Sequence, residues 1–248
     1  MGPCHFPDEY QNLEERGERR MKTQRKATVK GLMMLAVFAV VLFAMFMPIF
    51  HGHNAMEFLD NLYNSISKGS ADYGASVRSE IQDMEADLFT HRIEMASEEQ
   101  ARQTIQLLNP TGSDNSLEGK NITIKADLKN LLTAAINDSE IMFKNNGEHI
   151  KQKYGYNEKR VLYNWWVLFN KLDVNFTKTK SFKSSKYIKL VQNKVIEVSY
   201  NYYGIKSQNI KDKYLIVIIS LIFYVAYTVW YGFGIMHMFE GWGMKLGH

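Results

Sequence analysis

Two uncharged apolar runs, 31–50 and 214–239, limit what this chain can fold into. A helix rises about 1.5 Å per residue, so roughly 20 apolar residues cross the ~30 Å of hydrocarbon in a bilayer. Both runs reach that length, and neither contains Asp, Glu, Lys or Arg. Nothing inside them therefore marks a proton or ion path. The sequence predicts two antiparallel transmembrane helices joined by a polar segment of about 160 residues, a typical size for one domain with a single core.

Charge placement predicts the topology. Net charge is only +4, yet Arg16, Arg19, Arg20, Lys22, Arg25, Lys26 and Lys30 crowd ahead of the first run. Basic residues beside a span are retained on the cytoplasmic face, which puts the N-terminus inside and residues 51–213 outside. Lys206, Lys211 and Lys213 ahead of the second run argue the other way, and the tail offers only Lys245. The larger bias at the first span decides, because long domains are translocated largely regardless of charge. The same placement accounts for the basic residues without nucleic acid.

The expected order is a basic cytoplasmic leader (1–30), transmembrane helix 1 (31–50) and an extracytoplasmic domain (51–213). Transmembrane helix 2 (214–239) and a short cytoplasmic tail (240–248) follow. The first run exceeds the roughly 7–15 residue core of a cleaved signal, and no small-x-small site follows Pro48, so it reads as an uncleaved signal-anchor. Met-Lys-Thr-Gln-Arg-Lys from Met21 resembles a compact leader, making Met21 a candidate start and residues 1–20 an upstream mis-start or a disordered tail. Phe6 stands where myristoylation of Gly2 would want Ser or Thr. Cys4 is the single cysteine, so no intrachain disulfide can form. Sequons occur at Asn121, Asn137 and Asn175 and matter only in a host that glycosylates secreted chains. The expected location is a plasma membrane of the bacterial inner-membrane kind, with the domain in the periplasm.

Periodicity predicts an α+β, mainly helical domain. Asn54 caps a helix through Met56, Leu59, Leu62, Tyr63 and Ile66 that ends at Lys68-Gly69-Ser70 and continues the first span's axis through a His51-Gly52-His53 joint. Val77, Ile81, Met84 and Leu88 suggest a second helix. Phe89, His91, Ile93 and Met95 alternate as a half-buried strand. Ser97 and Gln100 form a capping box for a helix through Ile105 and Leu108, closed by the Asn109-Pro110-Thr111-Gly112 turn. Ile122, Ile124 and Ala126 alternate again, and Asp127 caps a helix through Leu131, Leu132, Ala135 and Met142. This is a strand–helix–strand–helix unit, right-handed if its strands pair in parallel. After a break at Asn145-Asn146-Gly147, Asn157 caps a helix with Val161, Trp165, Leu168, Phe169 and Leu172. A last amphipathic helix carries Tyr187, Leu190, Val191, Val195, Val198 and Tyr202, with Lys186, Lys189 and Lys194 on its other face.

Several groups are candidates for chemistry. His53, Glu57 and Asp60 fall on one helix face at metal-ligand spacing, with His51 as a fourth ligand; the competing reading is a solvated face. His51 and His237 stand at opposite ends of their spans, too far apart to hold one haem. Ser220, Tyr224, Tyr227 and Tyr231 draw a hydroxyl stripe down the second span. Lipid offers such groups no partner, so they should face protein or a polar-headed lipid. Gly232 and Gly234 add places for close backbone approach. An aromatic belt explains Trp230, Tyr231 and Phe233 but not Ser220 or Tyr224. Tyr163, Trp165 and Trp166 beside Lys159 and Arg160 fit ligand stacking, although helical spacing favours core for Trp165 and its edge for Trp166. The lysines from Lys178 to Lys194 and the Met236-His237-Met238 cluster are read as a solvated face and as flexible packing.

No G-x-S-x-G, H-E-x-x-H, Walker, C-x-x-C or Rossmann pattern occurs. The sequence therefore predicts a non-enzymatic, membrane-anchored accessory subunit without a cofactor. Its expected partners are a larger integral membrane subunit or a second copy of itself, together with membrane lipids and no nucleic acid. The alternative is an extracytoplasmic ligand-binding or sensor module that signals through a partner.

Overall fold

A computed structural model describes residues 8–50 and 52–244, with side chains from residue 13. Cys4, His51 and Lys245 lie outside the described residues. The protein is mainly helical with one small antiparallel sheet, and its chain forms two compact units, one containing residues up to Leu62 and from Ile210, the other Tyr63–Asn209.

The first unit is a helical hairpin. Helices α1 (Asp8–Met45) and α10 (Ile210–Gly241) are each long and apolar enough to cross a membrane. They pack antiparallel, with Thr28 against Gly241, Gly31 against Gly234 and Met238, and Phe38 against Tyr227. Close approach depends on missing side chains. A Cβ on Gly31 would lie 2.8 Å from Met238 N, and one on Gly241 would lie 2.0 Å from Thr28 Oγ1. Small residues at a helix seam permit this contact of backbone on backbone.

Two boundaries differ from the sequence reading. The leader is helical from Asp8 rather than disordered, because α1 runs without interruption through its charged segment into the apolar one. Ion pairs one turn apart, Arg19–Glu15 and Lys22–Glu18, line that segment. At the other end, 46–50 leave the helix: α1 stops at Met45 and Pro48 cannot continue it. A short bridge pairs Phe50 with His53 before α2 (Ala55–Ser70) begins. Asn54 caps α2 as predicted, its Oδ1 accepting from Glu57 N at 2.8 Å.

The second unit holds the core. Helix α3 (Gly74–Gln82) buries Val77 and Ile81. It ends before Leu88, which opens strand β1 (Leu88–Glu94) and is exposed, contrary to its expected place on the helix. Helix α4 (Glu98–Leu108) starts at the Ser97 cap. Strands β2 (Asp114–Glu118) and β3 (Asn121–Asp127) complete a sheet of order β1-β3-β2 in which every pairing is antiparallel. No parallel crossover forms, because the register sets Phe89 opposite Ala126 and Ile93 opposite Ile122, with all four side chains buried on one face.

Helices α5 (Leu128–Phe143) and α7 (Glu158–Lys178) form the centre of the core. Leu131, Leu132, Ile136, Trp165, Phe169 and Leu172 are all fully buried. Helix α6 (Gly147–Tyr154) lies between them in sequence. Helices α8 (Phe182–Val191) and α9 (Glu197–Tyr202) are joined by a π-helical turn over Gln192–Ile196, in which Glu197 N bonds Gln192 O. The extra residue of that turn shifts the buried face. Ile188, Val191, Val195, Ile196 and Ser199 are buried, whereas Tyr187, Leu190 and Val198 sit at its edge.

Candidate functional site: an aromatic cleft beside a π-turn

Two adjacent tryptophans on α7 have opposite fates. Trp165 points into the core, where its Nε1 donates to Asp138 Oδ2 at 2.9 Å. Asp138 is fully buried and also receives Tyr154 OH at 2.7 Å and Lys153 Nζ at 2.8 Å. Burial first, and the Asp138 charge second, push the Tyr154 phenol far above its ordinary value. The three donors leave this carboxylate fixed in a structural role.

Trp166 lies on the cleft side. With Leu162, Tyr163, Ile196, Glu197, Tyr200 and Asn201 it lines a cleft of about 310 Å³ between α7 and the chain from Ile196 to Asn201. That volume is at the lower end of the range for small-ligand sites, roughly 300–1,000 Å³. The π-turn is pinned to Trp166 at both ends: Gln192 Nε2 donates to Trp166 O at 3.3 Å, and Trp166 Nε1 donates to Glu197 Oε1 at 2.8 Å. Inserted π-turns commonly re-aim side chains at functional positions.

Cations lie over neighbouring rings. Lys159 Nζ sits 5.9 Å from the Tyr200 ring centre and 5.8 Å from that of Tyr203, and Arg160 lies 5.0 Å from Tyr163. Tyr203 donates to Glu158 Oε1 at 3.2 Å, and burial followed by that bond raises its phenol pKa. The ligand-stacking group of the sequence reading is thus divided. Tyr163 and Trp166 line the cleft, Lys159 and Arg160 flank it, and Trp165 belongs to the core. Glu197 and Tyr200 complete the lining, and neither was a candidate, because the π-turn that aims them has no signature in residue type.

The hydroxyl stripe also divides. Tyr227 OH donates to Phe38 O at 3.2 Å, and its ring stacks on Phe38 at 4.2 Å. Tyr231 lies against the same phenylalanine, 4.9 Å between ring centres. Trp230 Nε1 reaches Met34 O at 3.0 Å. The first span answers with backbone carbonyls, which its apolar side chains had concealed. Ser220 Oγ bonds Val217 O within its own helix, and Tyr224 remains 67% exposed. Gly234 is buried against Leu35, while Gly232 has no neighbour within 4 Å.

The metal candidates meet only in part. His53 Nδ1 lies 3.2 Å from Glu57 Oε2, the same oxygen that faces Asn54 N in the cap of α2. Asp60 is exposed one turn further on. Among the described residues no three His, Cys, Asp or Glu side chains come close enough to hold an ion. His237 pairs with Glu240 at 3.0 Å.

The sequence marks Lys68 only as a helix end. It is buried, with Nζ donating to Asn145 Oδ1 at 3.0 Å, Tyr202 O at 3.0 Å and Ile205 O at 2.7 Å. Among the described residues no carboxylate faces it, and burial lowers its pKa. No protein-family model, curated protein or solved structure matches this chain.

Proposed function

We propose that this chain is a non-enzymatic accessory subunit, fixed in a membrane by the α1/α10 hairpin and docking a partner through its Tyr63–Asn209 domain. The observation that carries the reading is the hairpin's outward surface. Within α10 only Gly234 is buried, and Leu215, Ile219, Ile222, Val225 and Val229 are 49–63% exposed. An uncovered apolar surface of this extent belongs in hydrocarbon or against other apolar helices. Lys22, Arg25, Lys26 and Lys30 at one end favour that end as cytoplasmic, which supports a domain on the outer side. Tyr224 and Gly232 face away from α1 and are where a larger integral subunit or a second copy would pack.

Two measurements test the reading. In intact cells, a membrane-impermeant maleimide should label a cysteine placed at Lys178 and leave Cys4 unlabelled until the membrane is opened; the reverse pattern overturns the topology. Mass measurement after mild solubilisation should give a species heavier than the 28.8 kDa chain. Recovery solely as a free monomer overturns the subunit role.

The cleft on α7 favours a second reading, a ligand-binding module that passes its signal through the partner. A ligand-induced rise in the melting temperature of the full-length protein would support it. Its abolition by Trp166→Ala would place the ligand in the cleft.

A further inference from the structure

We propose that the cleft between α7 and α9 binds a small organic ammonium ion, held against Tyr163, Trp166 and Tyr200 and neutralised by Glu197. The assignment rests on the ligand-binding reading above and names its ligand class.

Glu197 is the observation that narrows the choice. It is half-buried in an otherwise apolar and aromatic lining, and its sole partner among the described residues is the Trp166 indole on Oε1. Among the described residues no lysine or arginine pairs with it, although Lys159 and Arg160 stand on α7 within two turns of Trp166. A neutral apolar guest would strip water from this carboxylate and return nothing, which is costly. An anion would be repelled. A metal ion would find too few oxygen or nitrogen ligands, since Asn201 is the one other non-aromatic polar residue in the lining.

An organic ammonium satisfies both halves of the site. Its positive charge faces Glu197 Oε2, and its alkyl surface lies on aromatic side chains, whose electron-rich faces attract cations within about 6 Å. The molecule already shows this attraction, because Lys159 rests over Tyr200 and Arg160 over Tyr163. Placement by the π-turn, bonded at both ends to Trp166, holds Glu197 and Tyr200 in position before any ligand arrives.

The experiment uses the full chain in a maltoside detergent, which carries no ammonium group. Choline and its uncharged carbon isostere, 3,3-dimethylbutanol, are titrated at matched chloride while tryptophan fluorescence is followed. Choline should saturate the signal and bind at least about tenfold more tightly than the isostere, the scale expected of a partly desolvated cation–aromatic site. Glu197→Gln should abolish that preference. Tyr200→Leu should weaken choline about fivefold with an unchanged melting temperature, which separates ligand loss from unfolding. Equal binding of the two compounds, or a preference retained in Glu197→Gln, overturns the ammonium assignment and leaves a ligand-binding cleft standing. No saturable response to either compound removes both.

Discussion

Trp166 and Glu197 meet at 2.8 Å between indole nitrogen and carboxylate oxygen, and this bond ties the far end of the π-turn to α7. It is the link through which an irregularity in one helix sets the lining of the cleft. Trp166→Phe keeps an aromatic ring and deletes the donor, so it should cost about 1.5–3 kcal/mol, the usual loss for a hydrogen bond to a charged group. Glu197→Gln retains an acceptor and should cost less than about 1 kcal/mol. Chemical denaturation of the two variants checks the ordering. A larger loss for Gln than for Phe would show that the charge of Glu197, rather than the bond, holds the turn.

Asp138 presents a different balance, because two of its three partners, Trp165 and Tyr154, are buried with it while Lys153 reaches in from the surface. Asp138→Ala leaves the Trp165 indole, the Tyr154 hydroxyl and the Lys153 ammonium without their acceptor and opens a void. A loss of about 2–4 kcal/mol is expected, chiefly from the two buried donors left unpaired, because the Lys153 ammonium can turn back to water. Asp138→Asn keeps the shape but turns an amide donor toward one of those donors, and should cost about 1–3 kcal/mol. Cleft chemistry should be untouched in Asp138→Asn if the carboxylate is structural, so choline and isostere titrations of that variant should match the parent.

Much of this domain was legible from the sequence, and the failures share a cause. Asn54, Ser97, Asp127 and Asn157 were each read as helix caps, and each accepts the expected backbone N–H bond. The β1 and β3 alternations were equally plain, because each strand buries one face and exposes the other. Strand β2 was missed because Asp-Asn-Ser-Leu-Glu is an edge strand with no buried face and so no apolar period. Helix α6 carries just Ile150 and Tyr154 into the core, too few positions to make a stripe. The cleft was half visible. Tyr163 and Trp166 are aromatic residues on one helix, but their union with Glu197 and Tyr200 depends on a π-turn and on a contact 31 residues away. In the hairpin the apolar spans were obvious, whereas carbonyl acceptors at Met34 and Phe38 are a backbone property that side-chain identity does not reveal.

Lys68 should give the stability of this protein a distinct pH dependence. Burial lowers its pKa below the ordinary 10.5, so between the lowered value and 10.5 the unfolded chain binds more protons than the folded one. Its contribution to stability is therefore least favourable at lower pH and rises as pH climbs through that window. The raised phenols of Tyr154 and Tyr203 act in the opposite sense above about pH 10, so the comparison must be made against Lys68→Met. The variant should lack the rising component. Its loss at pH 7 should be small, within about 1 kcal/mol, because each acceptor keeps a second donor. Gly204 N reaches Asn145 Oδ1, Asn145 Nδ2 reaches Ile205 O, and Ile205 N reaches Tyr202 O.

Asn145 is the more exposed member of that cluster and should be the less replaceable. Its φ of 62° lies in the left-handed region, and its amide bonds Lys68, Gly204 and Ile205. Asn145→Ala loses every side-chain bond and places a Cβ residue without local compensation in a conformation costing about 1–2 kcal/mol. A total near 2–4 kcal/mol follows when the orphaned groups are included. Asn145→Gly relieves the backbone portion and should recover about 1 kcal/mol of it. Equal losses in the two variants would assign the whole effect to the hydrogen bonds.

Tyr224 and Tyr227 are one helical turn apart on α10, and their hydroxyls should separate hairpin stability from assembly. Tyr227 donates to Phe38 O, so Tyr227→Phe removes a bond inside the hairpin while keeping the ring stack. Interhelical hydrogen bonds between membrane helices average about 0.6 kcal/mol and reach nearly 2, so a loss in that range is expected on unfolding in detergent. The hydroxyl of Tyr224 makes no bond among the described residues, and Tyr224→Phe should leave hairpin stability unchanged. If a larger subunit or second copy packs on that side of α10, the same variant should lower the recovery of the heavy species after mild solubilisation, and Tyr227→Phe should not. Loss of assembly in Tyr227→Phe with full assembly in Tyr224→Phe would move the contact surface to the α1 side of the pair. An identical yield of the heavy species from both variants would remove the tyrosine hydroxyls from the contact altogether, leaving Gly232 and its apolar neighbours to carry it.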